Sequence, residues 1–299
     1  MPEVPPSDPT SSDQTPPERT LAGRTVLMSG GSRGIGLAVA LRAARDGANV
    51  VLLAKTATPQ PKLPGTIYSA AEQIEAVGGK ALPIVGDVRE EADVTRAVEE
   101  AVARFGGIDI VVNNASAIEL SPTRELPMKR YDLMQDINCR GTFLLSKTAI
   151  PHLERGTNSH ILTMSPPIDL DPRWVGPHTG YTIAKYGMSL CTLGLAAELA
   201  GVGVAANSLW PRTPIVTAAI TNLAALGEDR ADTARTVDIM ADAAHAILTR
   251  DSRSCTGNFF LDDAVLMEEG VTDFAKYRQA EREEDLRLDL FVSERLVRS

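Results

Sequence analysis

Thr25-Val26-Leu27-Met28-Ser29-Gly30-Gly31-Ser32-Arg33-Gly34-Ile35-Gly36, near the N-terminus, sets the architecture of this chain. Thr25 to Ser29 reads as a short buried strand. A glycine-rich turn follows, and Ile35 to Ala44 carries apolar residues at helical spacing. Strand, glycine turn and helix in that order form the context that a dinucleotide fingerprint requires. Gly30, Gly34 and Gly36 allow a tight turn and let the backbone approach a pyrophosphate. The helix that starts there presents unpaired N–H groups and the positive end of its dipole. Ser32, Arg33 and Ile35 belong to the same turn. A glycine-rich loop with no ligand is the plainer alternative, and the flanking strand and helix weigh against it.

Working outward, β-branched runs alternate with helical patterns. Strands are predicted at Thr25–Ser29, Asn49–Ala54, Ala81–Val85, Ile108–Asn113, His160–Ser165, Val202–Leu209 and Phe259–Leu261. Helices are predicted near 34–46, 66–77, 90–105, 128–155, 180–200 and 231–249. Gly47, Gly78 and Gly106 fall where C-terminal caps belong. This alternation predicts an α/β fold: a doubly wound, Rossmann-type parallel sheet with helices on both faces, in a single domain. Ligands of such sheets bind beyond the carboxyl ends of the strands. Residues 1–20, with six prolines among polar residues, read as a disordered tail. Residues 21–263 form the dinucleotide-binding and catalytic domain, and 264–299 a charged C-terminal extension.

The totals exclude several classes. The chain has 299 residues, 43% apolar and 23% charged, with net charge −9. That balance argues against nucleic acid or an anionic membrane surface as partner. No apolar run approaches the ~18 residues of a membrane span, and no secretory signal is visible. Cys139, Cys191 and Cys255 lie far apart and make no metal or redox spacing, which points to reduced thiols in a cytoplasmic setting. The four histidines show no ligand spacing, so no metal is assigned.

A second motif lies far downstream, Tyr181-Thr182-Ile183-Ala184-Lys185. Four residues apart, Tyr181 and Lys185 share a helical face. The ammonium is then placed to favour the phenolate and lower the tyrosine pKa from its ordinary ~10. A hydride delivered to a carbonyl leaves an alkoxide that needs a proton and a hydrogen bond, and an acidified phenol with a hydroxyl neighbour supplies both. On the cofactor side, an NAD site usually has an acid after the second strand. Here that strand ends Leu53-Ala54-Lys55-Thr56, with no acid. Lys55 and Arg33 are two cations suited to a 2′-phosphate, so NADP(H) is favoured over NAD(H); two solvated surface charges are the alternative. Asp87, after the third strand, is suited to hydrogen-bond the adenine. Asn113-Asn114-Ala115 ends the fourth strand beside the cofactor's adenosine side.

On these residues the chain resembles the short-chain dehydrogenase/reductase family over about residues 21–263. The glycine turn resembles T-G-x-x-x-G-x-G, with Ser29 for threonine. Asn113-Asn114-Ala115-Ser116 resembles N-N-A-G, with Ser116 for glycine. Asn138, Ser165, Tyr181 and Lys185 fall at the places of the family's catalytic tetrad. The resemblance implies that Tyr181 exchanges a proton with the substrate oxygen, and that Lys185 lowers the tyrosine pKa and holds the nicotinamide ribose. It also implies that Ser165 hydrogen-bonds the carbonyl and that Asn138 positions a water. Val88, Pro211, Thr213 and Ile215 complete the expected cofactor contacts. Within the family, Ser165-Pro166-Pro167, Tyr181 to Ser189 and Thr256-Gly257-Asn258-Phe259 look like the hydroxysteroid dehydrogenase-like proteins, without the sterol-carrier domain that some carry. That likeness implies an apolar, lipid-like carbonyl or alcohol substrate and a homo-oligomer, tetramer or dimer.

Departures from the pattern are Ser116 and Arg212 in place of glycines, and a proline-stiffened loop from Ser165 to Tyr181. Trp174, His178 and Trp210 are candidate substrate contacts there; packing is the alternative for the two tryptophans. Ile215 to Leu226, apolar and flanked by Pro211 and Pro214, reads as a lid or as a plain surface helix. Val271 to Ser299 reads as a solvated helix or tail, with Leu286, Leu288, Leu290, Phe291 and Val292 available to dock on a neighbouring subunit. A non-enzymatic NADP(H)-binding sensor on the same fold is the alternative function.

Overall fold

Strand β1 (Thr25–Ser29) is buried along its whole length, as a strand covered on both faces must be. In the computed structural model, which describes residues 19–60, 65–217 and 232–293, it lies inside a 7-stranded sheet, third from one edge. Its companions are β2 (Asn49–Ala54), β3 (Lys80–Val85), β4 (Ile110–Asn113), β5 (Ser159–Thr163), β6 (Val204–Trp210) and β7 (Phe259–Leu261). The order is β3-β2-β1-β4-β5-β6-β7. Every pairing is parallel. The winding reverses between β1 and β4, which opens a crevice beyond their carboxyl ends.

Alternate residues of each strand feed two cores, because side chains leave a strand on opposite faces. Val26, Met28, Val50 and Leu52 pack against α1 (Gly34–Arg45) and α2 (Ile67–Ala76). Leu27, Val51, Leu53 and Val111 pack against α3 (Glu91–Phe105). Caps fix the helix ends. Thr66 and Ser69 form a reciprocal capping box at the start of α2. Gly106, with φ of 86°, ends α3 in the left-handed conformation.

The helix predicted over 128–155 is one run with an inserted turn. α4 (Met128–Met134) passes into a π-helical turn at Gln135–Arg140 and then α5 (Gly141–Leu153). Short helices α6 (Pro172–Val175) and a later one at Asp262–Glu268 occupy segments that carry too few periodic residues to read as helix. α7 (Thr179–Leu199) follows the proline-rich loop, and α8 (Val237–Leu248) packs against α1.

The tail read as disordered lies outside the described residues up to position 18, and the candidate lid lies outside them from 218 onward. The C-terminal extension departs from the solvated tail expected of it. It returns across the strand ends, with Tyr277, Phe291 and Val292 all buried against the chain's own catalytic fold. A third apolar cluster forms there around Tyr181, Tyr186, Trp210 and Phe291. Charge density hid this packing, because acids and arginines dominate the segment from Glu281 to Asp289 that leads into Phe291.

Candidate active site

Two glycines of the turn are required by contact as well as by conformation. At Gly30, φ is 74°, and a Cβ would meet Ala115 Cα at 2.8 Å. At Gly36 a Cβ would meet Asn114 Nδ2 at 2.5 Å and Gly30 O at 2.7 Å. Asn114 explains the closeness: its side-chain amide donates to Gly30 O at 2.8 Å, tying the end of β4 to the turn. Ser29 Oγ accepts from Ala115 N at 3.2 Å. No side chain caps α1 at Arg33, and its first turn holds no acidic residue. The first N–H groups of α1 thus face the crevice, which suits an anionic pyrophosphate. The residues fit a dinucleotide.

The crevice is a cavity of about 470 Å³. Gly30, Ser32, Arg33, Gly34 and Ile35 line it from the turn. Lys55, Asp87 and Val88 line it from the ends of β2 and β3, and Asn114, Ala115 and Ser116 from the end of β4. Tyr181, Lys185, Pro211 and Ile215 close its other side. Gly36 lies beneath the turn against Asn114, and Thr213 is buried, so neither forms wall.

The cations lining the cavity at the glycine turn and after β2 already have partners. Lys55 Nζ is 3.2 Å from Asp87 Oδ2, and Arg89 Nη2 is 2.6 Å from the same oxygen. Burial pushes the Asp87 carboxyl up, but hydrogen bonds from the Arg89 side chain and backbone and from Lys55 outweigh it and hold the pKa at about 2. The adenine contact expected of Asp87 therefore competes with two guanidinium and ammonium partners. Arg33 donates from Nη2 to Gly65 O at 3.0 Å, while its buried Nε has no hydrogen-bond partner among the described residues.

Tyr181 and Lys185 stand one turn apart on α7, at the cavity wall. Lys185 Nζ donates to Met164 O at 2.8 Å and lies 5.0 Å from the centre of the Trp210 ring. Burial lowers the Lys185 pKa to about 7, with the Asp289 carboxylate pulling the other way. Tyr181 departs from expectation. Burial, followed by the negative charge of Asp289, pushes its hydroxyl above the ordinary value rather than below it. Desolvation inside an apolar cluster disfavours the charged phenolate.

The remaining tetrad residues are not at the wall. Ser165 is fully buried, and its Oγ is 2.8 Å from Ser208 Oγ, which donates to Thr192 Oγ1 at 3.0 Å. That hydroxyl chain runs into the interior between β5, β6 and α7, so Ser165 Oγ is engaged with Ser208 rather than lining the cavity. Asn138 is also fully buried. Its Oδ1 accepts from Ala117 N at 2.7 Å and its Nδ2 donates to Ala117 O at 3.0 Å. Both ends of the amide clamp the loop after β4. The π turn that carries it is the kind of local helix irregularity found at functional sites.

Of the departures noted in the sequence, Arg212 forms an ion pair with Asp263 at 2.5 Å, and Ser116 is exposed at the cavity edge. His178 contacts Leu120 O through Nδ1 at 2.5 Å, which occupies it structurally. Sequence reasoning missed Asp289 and Leu290, which line the cavity from the C-terminal strap. The available signal was the apolar run at 286–292, but nothing in a linear pattern distinguishes docking on a neighbour from folding back.

The sequence matches the short chain dehydrogenase family over residues 24–225. The chain belongs to that family, whose members are oxidoreductases that bind a nicotinamide cofactor. It is similar to hydroxysteroid dehydrogenase-like protein 2 of Danio rerio, with 57% identity over 257 residues, 86% of this chain and 61% of that protein. The Homo sapiens protein of the same name is 55% identical over 257 residues, 86% of this chain and 60% of its own length. The chain thus spans about three fifths of the length of these curated relatives. A crystal structure of a short chain dehydrogenase from Mycobacterium thermoresistibile matches with a TM-score of 0.86 at 54% identity, covering 92% of this chain and 96% of that one. A crystal structure of a dehydrogenase from Xanthomonas campestris matches with a TM-score of 0.85 at 54% identity, covering 92% of this chain and 99% of that one. The family resemblance carried by the glycine turn and the Tyr181–Lys185 spacing is borne out.

Proposed function

We propose that the chain is an NADP(H)-dependent oxidoreductase, of carbonyl reductase or alcohol dehydrogenase type, acting on an apolar, lipid-like substrate with Tyr181 as the proton-transfer group. One observation carries this: Tyr181 and Lys185 line the same cavity as the glycine turn. When bound, the nicotinamide supplies or takes the hydride. Charge then develops on the substrate oxygen, and the Tyr181 hydroxyl gives it a proton. Burial keeps Tyr181 protonated, which is the donor form for reduction. Lys185, poised at about 7, offers the positive charge that offsets the phenolate left behind.

NADP(H) rather than NAD(H) is supported by Lys55 and Arg33 at the adenosine end, with no acid closing β2. An apolar substrate is supported by the aromatic cluster around Tyr181 and by the name that the curated relatives carry. The free thiols of Cys139, Cys191 and Cys255 are consistent with a cytoplasmic setting. Among the described residues no helix is long and apolar enough to cross a membrane. A homo-oligomer is supported by exposed Phe143 on α5 and exposed Leu190 and Leu193 on α7.

The second reading, a cofactor-binding sensor, is favoured by the inward-turned Ser165 hydroxyl. NADPH oxidation by the full chain, with aldehydes and ketones of increasing apolar size, separates the two. Turnover that disappears in Tyr181→Phe supports the oxidoreductase. Tight NADPH binding without turnover of any of these compounds leaves the sensor.

A further inference from the structure

The C-terminal strap puts one side chain where the others of the site converge. The Phe291 ring centre lies 5.3 Å from that of Tyr186, 5.9 Å from Trp210, 6.0 Å from Tyr181 and 6.4 Å from Trp174. Those four rings belong to α6, α7 and β6, so the catalytic fold by itself forms an aromatic bowl open at Tyr181. Phe291 fills the bowl and is only 2% exposed, and Tyr181 beneath it is 4% exposed. Its neighbour Leu290 lines the main cavity, so bowl and cofactor crevice adjoin.

The backbone at Phe291 points the same way. Its φ is 67°, which makes it the non-glycine residue of the described chain in the left-handed region. A bulky residue rarely adopts that conformation, and such strain persists where surrounding contacts impose it, often at binding sites. Hydrogen bonds to the catalytic fold fasten the strap that holds it. Asp289 N donates to Arg212 O at 2.8 Å, Arg287 N to Thr233 O at 3.2 Å, and Trp210 Nε1 to Leu290 O at 2.8 Å. Upstream, the buried Arg235 anchors it through Glu283.

We propose that Phe291 is a specificity-determining residue. Its ring occupies the apolar space where the body of a substrate lies against Tyr181, and so limits the size of the neutral carbonyl compound that reaches the tyrosine hydroxyl. A compact ketone fits beside the ring; a fused or branched one requires the ring to withdraw. This deepens the oxidoreductase reading and rests on it.

The test uses the full chain with NADPH and two neutral ketones of unlike bulk, cyclohexanone and a fused bicyclic decalone. Phe291→Ala is expected to raise the ratio of kcat/KM for decalone over cyclohexanone by about tenfold or more, the scale of pocket-size discrimination. Phe291→Leu, which keeps an apolar filler and protects the fold, is expected to raise it by about threefold. NADPH affinity, read by fluorescence titration, stays unchanged in both. A ratio within about twofold of wild type, in a variant that melts cooperatively and binds NADPH, overturns the proposal. If Phe291→Ala fails to fold, the ratio in Phe291→Leu decides. If wild type turns over neither ketone, the oxidoreductase reading loses support separately. A Phe291 variant that then gains decalone turnover upholds the obstruction, and an equally inert one overturns it.

Discussion

Lys55 Nζ lies 3.2 Å from Asp87 Oδ2, so the cation that follows β2 is paired with the acid that follows β3 across the mouth of the crevice. On the proposed NADP(H) reading, a dianionic 2′-phosphate at Lys55 would compete with Asp87 for it. Lys55→Ala is expected to weaken NADPH binding by about tenfold, roughly 1.4 kcal/mol, and to leave NADH binding within about twofold. Fluorescence titration of both cofactors measures this. Tighter NADH than NADPH binding in the wild type would end the NADP(H) assignment.

Tyr181→Phe removes one hydroxyl and keeps the ring that packs against Phe291. Fold and cofactor affinity should survive. Turnover should fall by ~10²–10⁴, the range of general acid–base catalysis. Steady-state NADPH oxidation with a titration control reads both, and near-wild-type turnover would overturn the mechanism.

Lys185 links function to stability. Its folded pKa of about 7 lies below the ordinary 10.5. Between those values the unfolded chain holds a proton that the folded chain lacks, so stability rises with pH across that window. The gain is lost as pH falls through about 7. Lys185→Met should remove this slope and stabilise the fold at pH ~6 by roughly 1–2 kcal/mol, while turnover collapses. Urea unfolding of both proteins at pH ~6 and ~9 tests it, and equal slopes would refute it.

Asp262 has the opposite sign. Burial, then the charge of Asp263, raises its pKa to about 7 from the ordinary 3.8. Its contribution is fully present below 3.8 and is lost as pH rises through about 7. Asp262→Asn keeps an oxygen to accept from Arg212 N and Asp263 N, now at 2.9 and 2.8 Å. Melting should therefore move up at pH ~8 and gain little at pH ~4. A shift of equal size at both would show that charge is not the cause.

Exposed apolar side chains on α5 and α7 predict self-association. Phe143, Leu190 and Leu193 are 55%, 59% and 48% exposed. The double substitution Phe143→Glu, Leu190→Glu should lower the mass seen by light scattering at micromolar concentration. A wild type that scatters as a monomer would contradict the homo-oligomer.

Much of this protein is local in origin and was legible as such. The glycine turn, the β-branched strands and the glycine caps act through neighbouring residues, so β1, β2 and β7 fall where the pattern puts them. Tyr181 and Lys185 share a face because helical spacing requires it. Ser165 was placed in the site by its position in a motif, but its hydroxyl direction depends on Ser208 and Thr192, which are distant in sequence. The burial that pushes the Tyr181 pKa up is non-local in the same way. Helical spacing gives the lysine's proximity, while burial is a property of everything packed around the ring.

The sequence by itself determined the parallel α/β fold, the crevice for a dinucleotide and the Tyr181–Lys185 pair, because periodicity and short spacings encode them. Only the tertiary structure decided which way Ser165 faces, what Asp87 holds, and that the strap returns to seat Phe291 against Tyr181. Each of those is a contact between segments far apart along the chain, set by which surfaces are left to be covered once the sheet and its helices have formed.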